Sequence, residues 1–187
     1  MKQGGYMTNG QSESGLIRPS TLSRIKALFF DWLFICGYLI LLLILNLITF
    51  AVFLDTFPEY THMESQLIST FTSVIPIILI FSFMEGKAPF ASWGKRRSGI
   101  KVHYGGSPIT GAIIRNTIKF LPWQLGHMST IDGIYHDYTT PSSMLFLTLS
   151  LGLFLVLIFM ALGREDGRHL GDLLARSRVA HYGKTLE

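Results

Sequence analysis

Between Lys26 and Lys87 the chain carries no lysine or arginine, and from Ala27 to Leu54 its one charge is Asp31. A lone acid in a run long enough to span a bilayer marks a partner or a function. Cysteine is scarce too. One residue, Cys36, excludes a disulfide framework within the chain and reads as a small buried apolar side chain. No Walker loop, HExxH or Gly-x-Ser-x-Gly occurs, no solenoid-length repeat is present, and nothing calls for a cofactor, so the sequence does not read as an enzyme.

Charged residues make up 15% of the 187, whereas 49% are apolar and lie in blocks. The blocks run over about 27–54, 67–84 and 143–162. Each has roughly the 17 to 25 residues that cross hydrocarbon. The first ends in Ala51-Val52-Phe53-Leu54, without the small residues of a cleavage site, and reads as a retained helix. A net charge of +4 and a pI near 9.3 do not imply nucleic acid, because the basic residues flank the apolar blocks.

Lysine and arginine stay on the cytoplasmic side. Lys2, Arg18, Arg24 and Lys26 precede the first block, and the following loop holds Asp55, Glu59, His62 and Glu64, so that loop is outside. Lys87, Lys95, Arg96, Arg97 and Lys101 place 85–106 inside. Three crossings would then leave Arg164, Arg168, Arg176, Arg178 and Lys184 outside. A fourth crossing at 109–125 removes the conflict and puts both termini in the cytoplasm. It carries Arg115 and Lys119 to membrane depth, at about 2.5 to 3.5 kcal/mol each at a span centre. The alternative is a re-entrant or interfacial helix with 109, 112, 113, 117, 120 and 121 on one apolar face.

The remaining segments are expected as follows. Residues 1–20 form a flexible cytoplasmic tail, 21–182 the transmembrane domain and 183–187 a C-terminal tail. Ser20 or Ser23 caps the first helix. Residues 100–104 and 107–110 alternate around Gly105-Gly106, a hairpin signal weakened by Pro108. Pro122 kinks or ends the third helix near the outer face, 126–142 is an external loop, and Trp32 and Trp123 form an interfacial belt. Leu170, Leu173 and Leu174 mark a surface helix, with Arg168, Asp172 and Arg176 as a charge ladder on another face. His127, Asp132, His136 and Asp137 match no closed zinc spacing.

Arg24-x-x-Ala27-x-x-x-Asp31, Gly94-Lys95-Arg96 and Leu170-Gly171-Asp172-Leu173-Leu174-Ala175, in this order relative to the apolar blocks, resemble the RDD family of small prokaryotic membrane proteins. That family is named for one arginine and two aspartates, and the resemblance points to Arg24, Asp31 and Asp172. Arg176 stands where it puts glycine, and Ser177 where it puts threonine. It implies architecture more than activity: some members are assigned cation/proton antiport, and another is linked to regulation of a membrane peptidase.

The expected molecule is an all-α integral membrane protein: a bundle of about four transmembrane helices, a short cytoplasmic hairpin and a C-terminal interfacial helix, in the prokaryotic inner membrane. Arg24, Asp31, Arg115 and Asp172 form the expected charge network or ion site, with Asp31 paired to Arg115 and Arg24 to Asp172. Lys95, Arg96, Arg97 and Lys101 are the expected contacts to anionic lipid headgroups. Two functions follow. One is an accessory or regulatory subunit of a membrane partner. The other is a homodimeric sodium or potassium/proton antiporter with Asp31 in its pathway.

Overall fold

The computed structural model describes residues 17–53 and 58–182; most of the expected N-terminal tail and all of the C-terminal one lie outside these. Ser20 accepts the Ser23 amide through Oγ at 3.2 Å and so caps α1, Thr21–Phe53. Residues just before this cap are not a free tail. Ile17 O accepts the His181 amide, and Arg18 Nη1 donates to Glu165 O.

The second apolar block is one rod in three parts: α2 (His62–Ser69), a π-helical turn (Thr70–Val74) and α3 (Ile75–Gly86). Its start is set by a capping box between Thr61 and Glu64. The π turn precedes Pro76, which has no amide to offer the carbonyl of Thr72, four residues back. Tyr38 of α1 supplies the missing donor, its hydroxyl lying 2.6 Å from Thr72 O. Below this bond Ile77, Phe81 and Phe120 form a buried apolar core with Phe34, Ile35 and Tyr38 against it.

After α4 (Trp93–Arg97) and β1 (Ile100–Tyr104) comes α5, Pro108–Tyr135, then α6 (Pro141–Gly163), α7 (Leu170–Leu174) and β2 (Ser177–His181). The hairpin expected around Gly105-Gly106 does not form. Pro108 has no amide to give a strand and suits the first turn of a helix, so 108 onward enters α5. β1 pairs instead with β2, antiparallel, Val102 opposite Val179. This closes the chain: the ribbon buries Ile100, Val102 and Val179 against Ala27 of α1.

α5 also continues past both expected stops. Pro122 sits inside it, and 126–135 is helical rather than loop. Side-chain bonds tie it to neighbouring segments along its length: Ser150 Oγ donates to Pro122 O, Gln124 to Thr70 Oγ1, Gln66 to Met128 O and Ser129 to Ser143 O. Trp123 consequently lies mid-helix beside Phe120 rather than in an interfacial belt, whereas Trp32 is exposed near the ribbon end. Among the described residues three helices are long and apolar enough to cross a membrane: Thr21–Val52, His62–Gly86 and Pro141–Gly163. With 28 residues, α5 reaches about 40 Å at 1.5 Å per residue and runs antiparallel to both neighbours.

Candidate functional site

Seven charged side chains converge at the ribbon end of the bundle. Glu85, in the last turn of α3, is fully enclosed; Lys95 of α4 and Arg115 of α5 each bond one of its oxygens, and Asn116 Nδ2 adds a bond at 3.3 Å. Arg115 uses its other edge on α7, with Nε 2.5 Å from Asp172 Oδ1. One guanidinium thereby joins carboxylates from two elements, using separate edges of its planar fork.

Asp172 belongs to its surroundings rather than to a helix surface. It is 1% exposed, and Ser177 of β2 donates to its Oδ1 at 2.9 Å. Its Oδ2 receives the His169 amide at 3.4 Å and lies 3.3 Å from His169 Nε2. The Gly171 amide donates to His169 Nδ1, so this neutral imidazole carries its proton on Nε2, toward Asp172. Burial alone would raise the Asp172 carboxyl; the Arg115 guanidinium overrides it and holds the group below its ordinary range. Burial pushes His169 down to about 4, against the pull of Asp172. The expected ladder through Arg168 and Arg176 is absent, because Asp172 turns inward and Arg176 takes a left-handed φ of 48° after the helix has ended.

Asp31 performs a separate task. Ser92 Oγ donates to its Oδ2 and the Gly94 amide to its Oδ1, both at 2.8 Å, so the carboxylate docks the start of α4 onto α1. Glycine is required there: a Cβ at position 94 would lie 2.1 Å from Ala27 O. The cation nearest Asp31 is Lys119, with Nζ at 3.8 Å.

The structure therefore re-partners the expected network. Asp31 and Arg115 are not a pair, because Arg115 is occupied by Glu85 and Asp172. Arg24 does not bond Asp172 either; its Nη1 donates to Gly167 O at 2.6 Å, while Nε and Nη2 are enclosed without hydrogen-bond partners. Of the expected headgroup contacts, Lys95 is turned inward onto Glu85, whereas Arg96 and Arg97 are exposed and Arg97 stacks over Trp93. Glu85 and Lys119 were missed as site residues. The available signal was an acid closing one apolar block and two cations, one turn apart, opening the next.

A cleft of about 690 Å3 between α1, α5 and α6 is lined by Arg24, Asp31, Arg115, Lys119 and His169 together with apolar residues. At the far end Asp132 accepts from Thr140 and Ser142 and lies 3.5 Å from His62 and 3.3 Å from His136. Among the described residues no group of His, Cys, Asp and Glu is arranged to hold a metal ion.

No curated protein and no solved structure matches the chain. A family model, that of the RDD family, matches residues 18–176, spanning every element from α1 to α7, and the chain is a member of the RDD family.

Proposed function

We propose that this protein is an accessory or regulatory subunit of a larger membrane protein, crossing the prokaryotic inner membrane four times with both termini in the cytoplasm. It is a multi-pass membrane protein of its family. The charged layer acts as a clamp that holds the ribbon and α7 against the inner ends of the helices. The oxygens of Glu85 and Asp172 are each engaged by cations or hydrogen bonds, as suits a fastening rather than a carrier.

One observation carries the partner reading. In the outer half of α1, residues 43–49 are exposed on every side among the described residues, and Asn46 lies among them. Asn46 sits about 10 Å inside the end of the helix at 1.5 Å per residue, and its amide bonds Leu42 O on its own helix. An amide facing hydrocarbon is a contact for another membrane helix, worth about 1 kcal/mol. A photoreactive residue at Leu43 in native membranes is expected to crosslink a second polypeptide, and Asn46→Leu to weaken that product. Adducts with lipid alone would reject the reading.

Antiport is the second reading, favoured by the placement of Asp31 and Lys119 together on the wall of the cleft. Two copies would enlarge the room available for alternating access. Sodium- or potassium-driven proton movement in proteoliposomes, lost in folded Asp31→Asn, supports it. No movement by folded wild type across a range of pH rejects it.

A further inference from the structure

The cleft has two chemically distinct ends. Leu28, Ile35 and Leu39 of α1 and Phe154, Leu157 and Ile158 of α6 form an apolar wall, and Arg24, Asp31, Arg115 and Lys119 form an ionic base. Its volume of about 690 Å3 falls among pockets that hold small ligands, roughly 300 to 1,000 Å3. α1 and α6 have no extended packing with each other, and both present mostly exposed apolar faces, so the cleft is reached sideways from the bilayer.

Charge at the ionic base does not balance. The cations are Arg24, Lys95, Arg115 and Lys119; the carboxylates are Asp31, Glu85 and Asp172. One positive charge remains. It is shared by two side chains that reach the cleft with donors to spare: Arg24, whose Nε and Nη2 have no partners, and Lys119, whose ammonium makes no hydrogen bond among the described residues. Lys119 leans on the rings of Phe81 and Phe120 at 4.7 and 5.0 Å, which orients it without neutralising it. An uncompensated cation out of water is costly, and an anion removes that cost. The wall above it demands that this anion carry a hydrocarbon chain.

We propose that the cleft binds one anionic phospholipid, its phosphate beside Arg24 and Lys119 and one acyl chain along α1 and α6. A zwitterionic lipid brings its own cation and leaves the imbalance in place. The site differs from a polybasic surface, which holds many lipids loosely.

The test is native mass spectrometry of the full chain released from vesicles of phosphatidylglycerol and phosphatidylcholine in equal amounts. One phosphatidylglycerol per chain is expected to be retained in preference. Lys119→Gln lowers its retention about five-fold, the loss of one basic contact. Ala161→Phe, which fills the cleft wall without touching a charge, also lowers it. Circular dichroism and elution profile establish that each variant is folded; if Lys119→Gln is not, Ala161→Phe alone decides. Equal retention of the two lipids by the wild type, or unchanged phosphatidylglycerol retention in either folded variant, overturns the proposal.

Discussion

Replacing Glu85 by glutamine keeps the shape of the side chain and removes the charge that two cations share. Glu85 is 0% exposed, and the side chains of Lys95 and Arg115 are 6% and 4% exposed, so water cannot take over its role. Arg115 keeps Asp172, but Lys95 has no other carboxylate within 4 Å among the described residues. Breaking a buried pair by removing one partner costs about 3 to 5 kcal/mol. That loss is expected for Glu85→Gln in reversible unfolding of the purified protein in mixed micelles. Lys95→Met made on top of it removes the stranded cation and is expected to restore at least half of the loss. The double-mutant cycle then gives a coupling of about 2 kcal/mol or more, against about 0.5 kcal/mol for independent sites. A Glu85→Gln loss below about 1 kcal/mol, the size of an exposed pair, would refute the clamp.

Gly94→Ala places a methyl group 2.1 Å from Ala27 O. Undocking α4 from α1 is expected to cost about 1 to 3 kcal/mol in the same unfolding assay and to open the 90–98 segment to proteolysis. Arg176 holds a left-handed φ of 48° that glycine adopts freely, so Arg176→Gly is expected to raise the unfolding midpoint by the equivalent of about 1 kcal/mol. His169, pushed by burial from 6.5 to about 4, prefers its neutral form in the folded state. Its contribution is full above pH 6.5 and is lost as pH falls toward 4, by about 1.4 kcal/mol per unit at most. Stability measured at pH 7.5 and pH 5 is expected to differ more in wild type than in His169→Asn, whose amide retains the cap. Equal slopes would show that other groups set the acid limit.

The apolar blocks were legible because hydrocarbon imposes a length on them, and 67–84 and 143–162 fall inside helices that extend them by one to five residues at each end. The third helix was harder to read. Ile109 to Leu125 was recognisable, but the ten residues after it are polar enough to resemble a loop; Ser129 and Asp132 find their partners on α2 and at the start of α6, contacts that no local window contains. The ribbon failed as a hairpin for a related reason. Alternation identifies a strand without naming its partner, and β1 finds its partner more than seventy residues away. In the site, the expected pairings of Asp31 with Arg115 and of Arg24 with Asp172 do not form. Matching depth along helices offered Arg115 to Asp31, yet Ser92 and the Gly94 amide at the start of α4 take Asp31, and Asp172 of α7 with Glu85 takes Arg115.

Arg24, Asp31 and Asp172, the positions to which the resemblance points, share one mechanical logic here. Arg24 holds the connection after α6 through Gly167 O, Asp31 holds the turn into α4 through Ser92 and Gly94, and Asp172 holds both Arg115 of α5 and Ser177 of β2. Each joins a segment outside the long apolar helices to another part of the fold, and each succeeds because a small or hydroxylic residue lets the partners approach. At Gly167 a Cβ would lie 2.6 Å from the Arg24 guanidinium, and at Gly171 one would lie 2.9 Å from Arg115 O. The glycines and the charges therefore form one device. Exchanging an acid while leaving its glycine removes a bond, whereas exchanging the glycine pushes the segment away and strands the acid. The second change should be the more damaging wherever the charge is buried, which ranks Gly171→Val above Ser177→Ala in lost stability although Ser177 bonds Asp172 directly.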